Sequence, residues 1–504
     1  MRTARAIAIG IAAFASAWIS ACGGAPDTAP MEAEYRTIQS PPLIAASSPP
    51  PPGEPRDFAL PSAERFVLEN GLEVTLVHRP GYPTTSARLV IHAGKASRPD
   101  GIAAVDLMVR TLRDGAGEWS ADAISELIDS HGLAFTAVAD HDAITLSTDA
   151  LTTELDAAIS LLGTLATAPS FPAERVEARR EEALGELALA QAQPDHHLMV
   201  ATRRAAFPDG HPYSRAAATA DELRSVDADS MSTSWRALAG PAIAELIVVG
   251  EVPEGARAAI ENAFGNWTGG PASPPDVAPV EVSGCRAAHV VVRDGSAQTS
   301  IAWIGAGTRP GAPDWIASHV ANHVLGGGPS ARLFLNLRED KSYTYGAYSV
   351  LSPWGPGVFR AQSSVRLEVT APAIEEFLHE FERFDTDPLD DLGDARAYLT
   401  GVFPIELQTN AQLADRIASL RAMGVSFETL ETYRADVLDV PEDAVRSAGA
   451  TLMDTDTLTL VLVGDREVAV PAAQAVSTEV HVFDTDGTLV ETLDGSVEAD
   501  CGND

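Results

Sequence analysis

The chain has 504 residues, 45% hydrophobic and 21% charged, with 71 acidic against 35 basic side chains and a formal charge of −36. This is globular composition with room for two to four domains. So acidic a chain, with Lys95 and Lys341 as its lysines, repels phosphate backbones and is excluded as a general nucleic-acid binder; three cysteines are too few for a disulfide scaffold or a cysteine-rich zinc cage.

Arg2 and Arg5 precede an apolar run over residues 6–19, which is 14 residues and too short to cross a bilayer as a helix. The run ends in Ile19-Ser20-Ala21-Cys22, which resembles the signal of bacterial lipoproteins, whose cysteine is lipidated and becomes the new N-terminus. An ordinary signal peptide cleaved nearby is the alternative. The resemblance makes residues 1–21 the signal and Cys22 the lipid anchor. Gly23 stands where an aspartate would retain the protein at the inner membrane, so the outer membrane, facing the periplasm, is the expected location. Residues 22–61 read as a Pro-rich tether, because Pro41-Pro42 and Pro49-Pro50-Pro51-Pro52 favour polyproline II and carry no apolar periodicity.

The first repeat opens at Phe66 to Leu76 with alternating strand, Asn70-Gly71 turn and alternating strand, a strong hairpin signal. A third strand is expected from Ser86 to Ala93. Ile102, Val105, Met108, Val109 and Leu112 recur at helical spacing, and a second helix fits Ser120 to His131. Strand follows from Ala134 to Ser147, then long helices from Leu151 to Ala166 and Ala173 to Gln193, and a buried strand from Ala244 to Val249.

A Pro/Gly-rich break over 269–284 separates this from a second round. Strands at His289 to Arg293 and Thr299 to Ala306 lead to a helix from Asp314 to Leu325, a glycine turn at 326–328 and a short helix from Ser330 to Glu339. Strands at Tyr343 to Leu351 and Gly357 to Val365 flank a Trp354-Gly355-Pro356-Gly357 turn. Helices at Ala371 to Phe384, Asp391 to Leu407 and Gln412 to Met423 precede a last strand from Thr457 to Val463. The pattern is an internal duplication of an α+β unit, an antiparallel or mixed sheet with helices on one face.

Three segments resemble the pitrilysin or insulinase-type (mitochondrial processing peptidase-like) zinc metallopeptidases. They are Leu68-x-Asn70-Gly71-Leu72, the run Leu325-Gly326-Gly327-Gly328-x-Ser330-x-Arg332-Leu333-Phe334-x-x-Leu337-Arg338-Glu339, and Tyr345 seven residues past Arg338. The resemblance spans about residues 62–470. It implies two homologous peptidase-like units forming a clamshell around a peptide: an N-terminal unit over 62–268, a linker over 269–284 and a C-terminal unit over 285–470. An acidic tail with a hairpin follows over 471–504.

Active members of that family carry His-x-x-Glu-His on the first long helix, where ligands at i and i+4 share a face and the glutamate polarises the bound water. Here Ala104 and Met108 stand in the ligand places and Leu107 in that of the general base. Alanine has no donor atom, a thioether suits zinc poorly and leucine accepts no proton. Glu186 matches the distal third ligand, and one carboxylate holds no zinc alone. The chain is therefore expected to bind no metal or cofactor and to be inactive by itself.

The family's other half-site is kept. Arg338 and Tyr345 match an arginine and a tyrosine that reach the substrate backbone; a guanidinium donates forked hydrogen bonds to peptide carbonyls and a phenol donates to a developing oxyanion. The alternative for the pair is an Arg338 bound to a nearby carboxylate and a Tyr345 packed in the sheet. Because bacterial relatives often work in pairs, the resemblance implies a substrate-positioning subunit acting on peptides, with zinc in a partner subunit of the same family. A pseudo-peptidase scaffold or binding module in envelope assembly is the other class of function.

Further signals stand outside that scheme. His319 and His323 lie at i and i+4 without a glutamate between; an active enzyme using them is a third reading. His196, His197 and His211 have no partners at ligand spacing and are expected to be exposed. Asp484-Thr485-Asp486-Gly487-Thr488 is a hairpin rather than a phosphatase nucleophile loop. Asp385, Asp387, Asp390 and Asp391 form a solvated loop. Cys285 and Cys501 can pair in an oxidising compartment.

Overall fold

The computed structural model describes residues 59–98, 101–275, 277, 280, 282 and 285–498. The signal, Cys22, the tether as far as residue 58 and Cys501 lie outside the described residues. Cys285 is disulfide-bonded.

The first half contains β1 (Ala63–Val67), β2 (Glu73–His78), β3 (Thr84–Ile91), β4 (Gly115–Ala116), β5 (Trp119–Ser120), β6 (Ala134–Ala139), β7 (Ile144–Leu151) and β8 (Ala244–Gly250). Its helices are α1 (Ile102–Thr111), α2 (Ala121–His131), α3 (Leu155–Thr167), α4 (Ala173–Gln191), α5 (Pro194–Ala206), α6 (Ala220–Ser225), α7 (Ala228–Leu238) and α8 (Ala256–Phe264). The second half contains β9 (Ala288–Val292), β10 (Gln298–Ala306), β11 (Thr344–Ser352), β12 (Val358–Arg366), β13 (Thr459–Gly464), β14 (Glu479–Phe483) and β15 (Leu489–Asp494). Its helices are α9 (Trp315–Gly326), α10 (Arg332–Phe334), α11 (Thr370–Thr386), α12 (Leu392–Glu406), α13 (Asn410–Ala422), α14 (Thr429–Asp439), α15 (Glu442–Leu452) and α16 (Arg466–Val476).

The strand orders are β1-β2-β8-β3-β7-β6 and β11-β12-β10-β13-β9-β14-β15. Read from β2 and from β9, the two sheets run identically. A parallel pair, β2 with β8 and β9 with β13, is followed by three antiparallel pairings that end at β6 and at β11. The duplication is thus present at the level of hydrogen-bond topology. β8 and β13 are buried at every residue, which explains why both read as continuous apolar runs rather than alternating ones.

Each sheet receives a helix from the opposite half. α3 covers one face of the first sheet and α13 lies on β3 and β8; α9 and α16 pack on the second sheet and α5 lies on β10 and β13. α5 and α13 are the third helices after the equivalent strand pairs β6–β7 and β11–β12, so the exchange is reciprocal. Leu198 and Ala201 of α5 bury against Ala302, Ile304, Val461 and Val463, and burial of a side chain the size of Leu198 contributes about 1.5–3 kcal/mol.

The strand expected from Ala134 to Ser147 is a hairpin. Asp140 Oδ1 accepts from the amides of Asp142 and Ala143 at 2.8 Å, an Asx-type turn that reverses the chain between β6 and β7. The segment over 471–504 contributes β14 and β15 to the second sheet; Asp484 Oδ1 caps their turn by accepting from the amides of Asp486 and Thr488. Of the three histidines expected to be exposed, His197 is buried and His196 and His211 are half-buried. His197 is 7% exposed with Nε2 2.8 Å from Gln191 O, and His211 stacks on Phe207 and Tyr213. α5 lies between the halves, so a face that looks solvated in a lone helix is covered.

Candidate functional site

On α1, Leu107 and Met108 are fully buried in the first half's core and Ala104 is half-buried. Glu186 of α4, the matching third-ligand position, is exposed and ion-paired to Arg110 at 2.7 Å. Asp106 is engaged by Lys95 at 2.7 Å. Four positions supply one carboxylate, already neutralised, so zinc does not fit this donor set. Among the described residues no group of three or more His, Cys, Asp or Glu side chains is arranged to hold a metal ion.

His319 and His323 are drawn into separate aromatic contacts. His319 stacks on Trp315 with Nε2 3.0 Å from Tyr433 Oη, and burial pulls its pKa down to about 4. His323 stacks on Tyr398 with ring centroids 4.8 Å apart, and burial lowers its pKa as well.

The second half brings Arg338 and Tyr345 together. Residues Leu335–Asp340 form a π-helical turn after α10, a wide turn common at functional sites. Its flanks are tied down. Arg332 donates to Asp391 at 2.7 and 3.1 Å and to Pro388 O, while Asn336 donates to Glu376 and Glu380 at 2.9 and 2.7 Å. Lys341 also binds Glu376, and Arg383 pairs with Glu380 and Asp387. The aspartates Asp387 and Asp391 of the acidic loop thus serve as counter-ions.

Those bonds engage Glu376, Glu380, Asp387 and Asp391 with partners other than Arg338. Among the described residues Arg338 makes no ion pair, and its guanidinium carbon lies 5.6 Å from the centroid of the Tyr345 ring, within cation–π range. Tyr345 is 86% exposed rather than packed. A bulge between Thr344 and Ala347 turns it outward. Thr344 Oγ1 accepts from the Gly346 amide at 3.1 Å and Ser363 Oγ donates to Gly346 O at 2.9 Å. A Cβ at Gly346 would meet the Tyr348 ring at 2.6 Å, so that ring would have to shift. The alternative of a carboxylate-bound arginine and a packed tyrosine is not what the structure holds.

Tyr345 stands at a cavity of about 570 Å³ between the β11–β12 surface and the first turn of α5, whose walls include Tyr348, Arg360, Gln362 and Met199. β11 is the free edge of its sheet. Leu335, Tyr348 and Val350 are exposed at 45%, 42% and 38%, an apolar surround for the pair. Arg360, Arg203 and Trp354 went unassigned from sequence. Only the Trp354-Gly355-Pro356-Gly357 turn gave a signal, and nothing in sequence joins it to Arg203 on α5.

Residues 73–219 match the family Insulinase (Peptidase family M16), and residues 225–397 match the Peptidase M16 inactive domain, together more than half of the chain. An uncharacterized zinc protease of Streptomyces coelicolor is 24% identical over 415 residues, covering 79% of this chain and 88% of that protein. A peptidase M16 inactive domain from Pseudomonas fluorescens superimposes with a TM-score of 0.70 at 21% identity, over 80% of this chain and 98% of its own. A protease from Helicobacter pylori superimposes at 0.73 and 16% identity, over 81% and 100%. These structural likenesses show the fold.

Proposed function

Because the chain belongs to the insulinase-type peptidase family M16, we propose that it is the non-catalytic, substrate-positioning subunit of a heteromeric zinc metallopeptidase in the bacterial envelope. Cys22 would tether it by lipid to the outer membrane, facing the periplasm, and a family partner would bring the zinc and the general base.

One contrast carries this reading. The positions where zinc ligands would stand hold no usable donor set, yet among the described residues Arg338 makes no ion pair and lies beside an exposed Tyr345 that lines a cavity. Arg338 donates to carbonyls of a bound peptide and Tyr345 Oη donates to the oxygen that gains charge during attack. The free edge of β11 offers backbone groups for an extended peptide to add as a strand.

The test is a fluorogenic peptide assay of this chain mixed with a zinc-bearing subunit recovered with it from its native envelope. Cleavage is expected only on mixing, and Tyr345→Phe is expected to lower kcat by about 10²-fold. If Arg338→Ala and Tyr345→Phe mixtures cleave as well as wild type, the assigned roles are wrong. Recovery with no zinc-bearing chain would favour the scaffold.

A further inference from the structure

Two guanidinium groups that make no ion pair among the described residues share one aromatic ring. Arg203 of α5 and Arg360 of β12 approach the Trp354 ring, their guanidinium carbons 4.0 and 5.4 Å from its centroid. Arg203 is partly compensated: Nη1 donates to Tyr213 O at 3.3 Å and the charge of Asp142 acts on it from farther away.

Arg360 has much less. Its Nη1 reaches the Met199 sulfur at 3.8 Å, a weak acceptor, and its Nε is buried without a partner. Burial lowers its pKa, with no carboxylate offsetting the cost. The like charges of Arg360 and Arg203 repel each other. A half-buried guanidinium without a counter-ion is unfavourable, and 71 acidic side chains offered many ways to neutralise it.

Its position says what the charge is for. Arg360 lines the Tyr345 cavity and is the single cation among the residues that do so; the single carboxylate there is the exposed Asp195. In the β11–β12 register Arg360 faces Val350 and Gln362 faces Tyr348, so Arg360 sits one strand in from the free edge. We propose that Arg360 is a specificity-determining residue of this cleft, binding a carboxylate of the peptide held beside Tyr345, either an acidic side chain or the C-terminus. This rests on the reading of Arg338 and Tyr345 as peptide-binding groups.

The test is fluorescence anisotropy of the purified chain with three labelled peptides of one backbone: neutral with an amidated C-terminus, the same with one glutamate, and neutral with a free C-terminus. One of the two carboxylate peptides is expected to bind about tenfold tighter than the neutral one, and which one identifies the source. Arg360→Gln is expected to erase that preference and leave neutral-peptide affinity unchanged, while Arg360→Lys keeps part of it. Equal binding of all three by wild type, or a preference that survives Arg360→Gln, overturns the inference. Neutral peptide that binds and is lost with Arg338→Ala keeps the Arg338–Tyr345 reading even then; no peptide binding at all overturns both. A melting temperature for Arg360→Met at or above that of wild type is expected, and a drop of several degrees would assign Arg360 a structural role instead.

Discussion

The Arg88 guanidinium, 2% exposed within the first sheet, is held at 2.6 Å by Asp415 of α13, a helix of the second half. Asp149 of β7 takes its other side at 3.0 Å. A second tie, Arg421 of α13 to the 4%-exposed Glu245 of β8 at 2.6 Å, repeats the device at the same seam. The halves are locked by buried charge as well as by apolar contact.

The Arg88 cluster has two carboxylates, so losing one is tolerable and losing both is not. Asp415 and Asp149 are 63% and 42% exposed, which screens each contribution. Asp415→Asn is expected to cost about 1 kcal/mol, while Asp149→Asn with Asp415→Asn strands the buried guanidinium and costs about 3 kcal/mol. Urea denaturation measures both. A double-variant loss equal to the sum of the single ones would show that the carboxylates do not share Arg88.

The purified chain is expected to retain no stoichiometric zinc at either histidine-bearing or degenerate motif. Elemental analysis after dialysis against zinc and then buffer checks this. One equivalent that disappears in His319→Ala would return the third sequence reading, an enzyme using α9. The geometry argues otherwise, because His319 is committed to Tyr433 and His323 to Tyr398.

Acid should loosen the seam through His289. It sits on β9 between His481 and Phe483, and burial, helped by the charges of His481 and Arg204, lowers its pKa to about 4 from 6.5. Between those values the unfolded chain binds the proton that the folded chain refuses. This contribution is therefore complete above about pH 6.5 and is lost as pH falls towards 4, on the order of 2–3 kcal/mol. His289→Phe keeps an aromatic ring and removes the proton. Its unfolding free energy should fall less between pH 7 and pH 4 than that of wild type, and identical slopes would remove His289 from the acid response.

Much of this was readable from residue order, and the failures share a cause. Asn70-Gly71 announced the β1–β2 hairpin, with Gly71 at φ +96°. What the pattern could not tell is that Asn70 Nδ2 also donates to Phe264 O and Trp267 O at 2.8 and 3.1 Å, tying the hairpin to the end of α8 nearly two hundred residues on. α5 escaped notice because its buried face carries His197, Thr202 and Arg203 beside Leu198, Ala201 and Ala206, which breaks the apolar stripe that marks an amphipathic helix. Arg88 reads as a polar strand residue until α13 arrives. Arg338 and Tyr345 were found through a resemblance; that Arg338 makes no ion pair among the described residues and that Tyr345 is exposed are properties of the fold.

These properties make the last prediction sharp. Tyr345 is 86% exposed and Arg338 carries no ion pair among the described residues. Truncating either should change unfolding free energy by no more than about 0.5 kcal/mol, the range of ordinary surface substitutions. If both serve peptide chemistry, Arg338→Ala and Tyr345→Phe leave the melting curve in place while cutting turnover of the mixed enzyme, Arg338→Ala chiefly through KM and Tyr345→Phe chiefly through kcat. Gly346→Ala is the informative contrast. Its Cβ would strike the Tyr348 ring, so it should lower both stability and turnover by disturbing the bulge. Losses of stability in the first two variants as large as in Gly346→Ala would mean that the pair holds the sheet together and that its exposure serves no ligand.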